Sequence, residues 1–397
     1  MKDFFVRECL KNQNDYTVAT VNADIILNAN ESNYPLPEEL AEKISKIAAN
    51  FPFHRYPPVK AENLCEIIAE DLDVDSECIR IGNGSSDLLE KACYVFGGEG
   101  SKIAIPYPSF AMYGEYVALS GSEPCYYSLN NEGFIDADTV IELCLQEKPS
   151  LLIICNPNNP TGNYNSLAVI EKIIASVECP VILDEAYMEF ADGKEMPPND
   201  MRPLHKLWLV AGSALSLLGR YSNFIVLRTF SKAYGLAGLR CGYGAGSLFL
   251  MRHLGKAILP YHVNAFTLYM AKMVYENKEL YKGRIKTIDE ERDKLAAYCR
   301  KMGFYVYPSS ANFLLLKAEG LLMEHMAAKY AADYDESIEQ QEASGKLLVR
   351  YLLENGILVS DFSAHPALQG CVRITIGVPE ENKQLLNRIT ELCVALE

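Results

Sequence analysis

Phe224-Ile225-Val226-Leu227-Arg228-Thr229-Phe230-Ser231-Lys232-Ala233-Tyr234-Gly235-Leu236-Ala237-Gly238-Leu239-Arg240 decides how this chain is read. Its first four residues form an apolar run of strand length, which predicts a buried strand. The strand delivers a Ser231-Lys232 pair into a glycine-rich turn, with Gly235 and Gly238 between the lysine and Arg240. A lysine amine becomes a nucleophile when burial or nearby cations lower its pKa, and Schiff-base formation with a carbonyl is a common use. A serine hydroxyl, backbone that can approach closely and a guanidinium fork are what a phosphate beside that amine requires. The stretch therefore points to a phosphorylated aldehyde held on Lys232, that is, pyridoxal 5′-phosphate (PLP). On spacing alone it also fits an ordinary strand-to-loop connection, so the rest of the chain has to decide.

A chain of 397 residues is long for one domain, and two are expected. The formal net charge of −15 argues against nucleic acid and anionic membrane as partners. A local group of arginines can still bind an anionic small molecule. The 12 cysteines include no C-x-x-C pair and the 6 histidines no H-E-x-x-H spacing, so reduced structural thiols and no metal site are expected. Met1-Lys2-Asp3-Phe4-Phe5 lacks the features of a signal peptide, and no apolar run reaches membrane-spanning length. A cytoplasmic protein is expected.

Between residues 61 and 246 helical and strand patterns alternate. Helices are expected over 38–49 and 61–72, and from the Gly82 loop to about residue 96. Apolar runs at 78–81, 102–105, 151–155, 181–183 and 224–227 predict strands of a sheet covered on both faces. Such alternation implies right-handed β-α-β units and an open, mostly parallel sheet, an α/β fold. Ligands bind beyond the carboxyl ends of its strands, and the motifs fall there. Gly82-Asn83-Gly84-Ser85-Ser86-Asp87 is a weak dinucleotide signal, with Asp87 at the third glycine. A helix start with small residues and two hydroxyls nevertheless suits one phosphate. Cys155-Asn156-Pro157-Asn158-Asn159-Pro160-Thr161-Gly162 is a rigid turn able to hold an asparagine amide at a ligand, or a simple Asn-Pro turn. In Val181-Ile182-Leu183-Asp184-Glu185-Ala186-Tyr187 an acid follows directly on an apolar strand. Asp184 can then face a cationic ring nitrogen and Tyr187 reach the same ligand; a surface Asp-Glu pair is the plainer alternative. Phe53-His54-Arg55-Tyr56-Pro57-Pro58 is a stiff aromatic loop, either a connector or an arm reaching a partner subunit.

Further pieces complete a pattern: Asn28-Ala29-Asn30-Glu31, Pro108-Ser109-Phe110-Ala111-Met112-Tyr113, Pro260-Tyr261-His262-Val263-Asn264, Ala311-Asn312-Phe313 and Val372-Arg373-Ile374-Thr375-Ile376-Gly377. With the motifs above, and in this order, they resemble the fold-type-I PLP enzymes of the class I/II aminotransferase family, most of all its histidinol-phosphate aminotransferase branch. The resemblance covers nearly the whole chain. It implies a transaminase that moves an amino group between a donor, histidinol phosphate or an amino acid, and a 2-oxo acid such as 2-oxoglutarate. By the same resemblance Lys232 binds PLP and shuttles the proton, and Asp184 pairs with the ring nitrogen. Tyr187 and Asn159 hold the ring oxygen, and Phe110 stacks on the ring. Ser85, Ser86, Ser231 and Arg240 hold the phosphate, with Tyr56 reaching it from the partner of an obligatory homodimer. Arg373 clamps the substrate carboxylate, and Asn30 lines the substrate entrance. The implied domains are a large PLP-binding domain over 41–300 and a small α+β domain over 301–397, with 1–40 packed on the latter.

One position departs from the family. Where the branch carries Val-Arg-Asp, with the arginine on the substrate phosphate, this chain has Val359-Ser360-Asp361. Either another cation substitutes, or the donor is aromatic or neutral. A decarboxylase or lyase on the same scaffold also stays open. Stretches 191–222 and 319–345 look longer than is usual in the family and receive no role.

Overall fold

The apolar runs become strands buried on both faces. The computed structural model describes residues 6–11, 21–191, 211–335 and 337–396. After the short β1 (Ile25–Ile26) come β2 (Ile79–Gly82), β3 (Lys102–Tyr107), β4 (Glu123–Ser128), β5 (Leu151–Cys155), β6 (Val181–Asp184), β7 (Phe224–Thr229) and β8 (Gly242–Gly246). From β2 on, these form a sheet in the order β2-β8-β7-β6-β5-β3-β4. The run from β7 to β4 pairs in parallel, while β8 is antiparallel to both its neighbours. Every residue of β5, β6 and β7 is buried, as a sheet covered on both faces demands.

The covering layers come from the helices α1 (Glu38–Ala48), α2 (Glu62–Leu72), α3 (Ser85–Phe96), α4 (Met112–Ser120), α5 (Ala137–Glu147) and α6 (Leu167–Ser176), and from later ones. The period of two along β6 divides it between the layers. Ile182 packs in the cluster containing α3 and α4, whereas Val181 and Leu183 pack in the one containing α6.

Two strands are not legible as apolar runs. β4, Glu123-Pro124-Cys125-Tyr126-Tyr127-Ser128, lies at the sheet edge, where polar residues and proline are tolerated. β8 is Gly242-Tyr243-Gly244-Ala245-Gly246, and glycine is a poor strand former. A Cβ at Gly242 would collide with the backbone nitrogen of Ser85, so glycine lets β8 close against the start of α3.

The C-terminal part holds a second sheet. β9 (Phe304–Val306), β10 (Phe313–Ala318), β11 (Ile357–Leu358), β12 (Ser360–Phe362) and β13 (Cys371–Thr375) follow in sequence. Four of them form an antiparallel sheet in the order β12-β13-β10-β9, while β11 pairs in parallel with β1. The Thr375 N–H donates to the Leu27 carbonyl at 2.9 Å, so the segment around β1 is laid on this sheet. Most of stretch 319–345 becomes the helix Gly320–Asp333, which buries Met326, Ala327 and Tyr330, and the start of the helix Gln340–Glu354. Of stretch 191–222, residues 192–210 lie outside the described residues. No described helix is long and apolar enough to cross a membrane.

Candidate active site

β2, β5, β6 and β7 run in one direction, so their carboxyl ends meet at one edge of the sheet. A cavity of about 470 Å³ opens there. Every site residue expected from the sequence lines it except Tyr56.

One end of the cavity is built for an anion. α3 begins at Ser85, after Gly84 at φ 88°, and no side chain caps its first turn. The first N–H groups of such a helix stay unsatisfied and favour negative charge. Arg240 lies over this start, so close that a Cβ on Gly84 would come within 2.6 Å of its Nη2. Its Nη1 donates to Ser231 Oγ and to the Ala237 carbonyl, each at 3.3 Å. Thr229 Oγ1 also donates to Ser231 Oγ, at 3.0 Å, and orients that hydroxyl.

Lys232 and Asp184 stand further in. Lys232 Nζ donates to the Ala29 carbonyl at 2.9 Å. Burial lowers its pKa to about 8, and Arg373 and Arg240 push the same way against Glu31 and Asp184. Burial lifts Asp184 to about 6, opposed by hydrogen bonds from Tyr113 and the Ala186 N–H and by the charge of Lys232. A surface Asp-Glu pair is thereby excluded, since Asp184 and Glu185 are 7% and 2% exposed. The two acids part. Asp184 lines the cavity, while Glu185 accepts from Arg228 Nε at 2.9 Å and from Ser213 Oγ at 2.5 Å.

Phe110 lines the cavity with its ring edge-on to Tyr113, at 5.5 Å and 89°. Tyr187 is buried, which raises its phenol to about 12, and its hydroxyl accepts from Asn30 Nδ2 at 3.0 Å. Asn30 lines the cavity and is 1% exposed. Its N–H donates to Thr375 Oγ1 and its carbonyl accepts from Asn312 Nδ2. At φ 53° its backbone is left-handed, a conformation asparagine tolerates better than most residues. It ties the N-terminal segment, β13 and Tyr187 together.

The other end belongs to Arg373. Its Nη1 donates to Asn159 Oδ1 at 2.6 Å, and its Nη2 to the Asn28 carbonyl at 2.5 Å and to Ser360 Oγ at 3.2 Å. The guanidinium carbon lies 5.5 Å from the Phe313 ring and 5.4 Å from that of Phe362. Asn159 also lines the cavity. Ser360 Oγ also donates to the Asn28 carbonyl, at 3.1 Å. Asp361 is exposed and accepts from the Ser363 N–H, away from the cavity. Among the described residues Lys232, Arg240 and Arg373 are the cations lining the cavity, so no described cation fills the place of Ser360.

This arrangement matches a known group. Residues 23–389 match the family described as "Aminotransferase class I and II". The chain belongs to the class I and II aminotransferases. This aminotransferase is 33% identical over 374 residues to the histidinol-phosphate aminotransferase of Ruminiclostridium cellulolyticum, covering 93% of this chain and 92% of that one. It is also 33% identical over 393 residues to the histidinol-phosphate aminotransferase of Thermoanaerobacter sp., covering 99% of each. In fold the aminotransferase is similar to the crystal structure of histidinol-phosphate aminotransferase from Sinorhizobium meliloti in complex with PLP. The TM-score is 0.77 at 22% identity, over 94% of this chain and 92% of that one.

Several residues of the aminotransferase's cavity were not picked out from the sequence: Tyr113, Glu31, Thr229 and the carbonyls of Asn28 and Ala29. Tyr113 stands at the start of α4, just after Phe110 in the same motif. The carbonyls left no signal, since backbone atoms carry no residue type.

Proposed function

We propose that this aminotransferase carries PLP on Lys232 and moves an amino group from histidinol phosphate to a 2-oxo acid such as 2-oxoglutarate. The observation that carries this is one cavity with a buried acid opposite a lysine of lowered pKa and a guanidinium at each end. The donor set fits PLP: an uncapped helix start, Ser231 and Arg240 suit a phosphate, and Asp184 suits a ring N–H. Bound PLP supplies the aldehyde that takes the amino group and a ring that withdraws electrons. Asp184 holds the proton on the ring nitrogen. Lys232, once free, takes the proton from the donor carbon and returns it at the next step. Tyr187 and Asn159 hold the ring oxygen, Phe110 covers the ring face, and Arg373 binds the anionic group of the donor or acceptor.

The large domain, 41–300, carries the cofactor, and the small domain, 301–397 with 1–40, carries Arg373. Tyr56 supports a homodimer with shared sites. It is 82% exposed, stacks on Tyr261 at 4.7 Å, and lies outside its own chain's cavity. Mixing Tyr56→Ala with Lys232→Ala protein under subunit exchange restores part of the activity; an active monomer in sedimentation defeats the shared site.

Ser360 favours a second reading, an unphosphorylated aromatic donor, because its neutral hydroxyl already bonds Asn28 and Arg373. The deciding experiment is a single turnover without acceptor. Histidinol phosphate discharges the visible absorption of the bound cofactor and yields the pyridoxamine form. Faster discharge by phenylalanine or tyrosine transfers the proposal to the second reading. Release of carbon dioxide from phenylalanine or tyrosine would make the protein a decarboxylase.

A further inference from the structure

We infer that Tyr113 is a positioning residue whose hydroxyl holds Asp184 ionised and aimed into the cavity, and thereby sets how far into acid the protein keeps its cofactor. The inference rests on the reading of Asp184 as partner of the ring nitrogen.

Tyr113 lies on the first turn of α4 and is 1% exposed. Its hydroxyl donates to Asp184 Oδ2 at 2.9 Å, while Oδ1 accepts from the Ala186 N–H at 3.2 Å. These are the hydrogen bonds recorded at this carboxylate. Other titratable groups face it without donating to it: Tyr116 from α4, Cys155 from β5, Glu185 and Tyr187 after β6, and Lys232 after β7. Among the described side chains, then, Tyr113 is the one that bonds the carboxylate. A carboxylate nine-tenths buried prefers to be neutral, and each donor to its charged form opposes that preference. A neutral Asp184 cannot attract a ring N–H⁺, so loss of the hydroxyl weakens cofactor binding in acid and spares it in alkali.

The packing of Tyr113 is separable from its hydroxyl. Its ring edge meets Phe110, and phenylalanine would keep that contact. A residue that only fills the core would lose little on Tyr113→Phe, and equally at every pH.

The first test uses the cofactor-free protein. Burial raises the Asp184 pKa above its unfolded value, to about 6. The folded state therefore binds the proton that the unfolded state has lost, and the contribution of this group to stability falls as pH rises from about 4 to about 6. Thermal midpoints measured across this range fall in the unmodified protein relative to Asp184→Asn. In Tyr113→Phe the fall extends about one pH unit higher, tenfold in the protonation equilibrium. Tyr113→His, which keeps a ring N–H donor, restores the lower limit, and Tyr113→Phe has no such effect in the Asp184→Asn background. In the second test Tyr113→Phe weakens PLP binding about tenfold at pH 6 and leaves it nearly unchanged at pH 9.

A uniform drop in midpoint with an unshifted profile overturns the inference, as does a shift that persists with Asp184→Asn. Should Tyr113→Phe not fold, Tyr113→Leu, which likewise lacks the hydroxyl, takes its place in both tests. Absence of PLP binding at any pH would refute the reading of the site and leave the cofactor-free profiles to decide on Tyr113.

Discussion

Arg240 and Arg373 hold opposite ends of one cavity, yet the chain reaches them in opposite ways. Arg240 comes eight residues after Lys232 and contacts Ser231 and Ala237, so its end of the cavity is largely one continuous segment closed against the start of α3. Arg373 is bonded to Asn28, Asn159 and Ser360 and lies near Phe313 and Phe362, residues from four separate parts of the chain. The first end is local and partly open, the second buried and assembled by packing. An anion needed in every turnover suits the former. A site that must accept a donor and then an acceptor suits an arginine whose neighbours can be varied one at a time.

The largest effect expected lies between the two ends. Lys232→Ala leaves a folded protein without the visible band of bound cofactor and lowers turnover at least about 1,000-fold, as loss of the proton-transferring group demands. Normal turnover in that variant would remove Lys232 from the chemistry. Arg240→Leu and Arg373→Leu next separate the ends. A charge-assisted hydrogen bond is worth about 1.5–3 kcal/mol, or roughly 10- to 100-fold in affinity. Arg240→Leu loses this in PLP affinity measured by titration. Arg373→Leu loses it in KM for donor and acceptor, with PLP affinity within about twofold of the unmodified protein. Equal losses of PLP affinity in both would abolish the distinction.

A pH experiment sharpens the comparison. With Lys232 at about 8, its neutral fraction rises about tenfold between pH 7 and pH 9, and the initial rate of PLP capture by the cofactor-free protein rises with it. Because Arg373 pushes this pKa down, Arg373→Leu moves the midpoint upward. A rate flat from pH 7 to pH 9 would mean that the amine is already neutral. The smallest effect is expected from Ser360→Arg. Ser360 pairs directly with Arg373 across β12 and β13, so the added cation gains a phosphate contact but repels its neighbour. About three- to tenfold higher kcat/KM for histidinol phosphate, with phenylalanine little changed, is the expected outcome. No gain for the phosphorylated donor would mean that the departure at Ser360 does not govern its use.

The strands that line the site were legible as apolar runs because they are buried on both faces, where composition alone marks them. β8 was not, since its glycines serve close approach to α3 and leave no hydrophobic signal. Asn30 was legible as a site residue but its partners were not, because they are Asn312 and Thr375 near the other end of the chain.

By itself the sequence determined the α/β class and the order of strand-end motifs. Each follows from neighbours within about ten residues, the range over which periodicity and turn chemistry act. The tertiary structure alone decided which asparagine holds Arg373, that Asp184 turns to the cavity while Glu185 turns to Arg228, and that Tyr113 bonds the acid. Those contacts join residues tens to hundreds of positions apart, and hydrogen bonds of that span form only where packing brings their partners together.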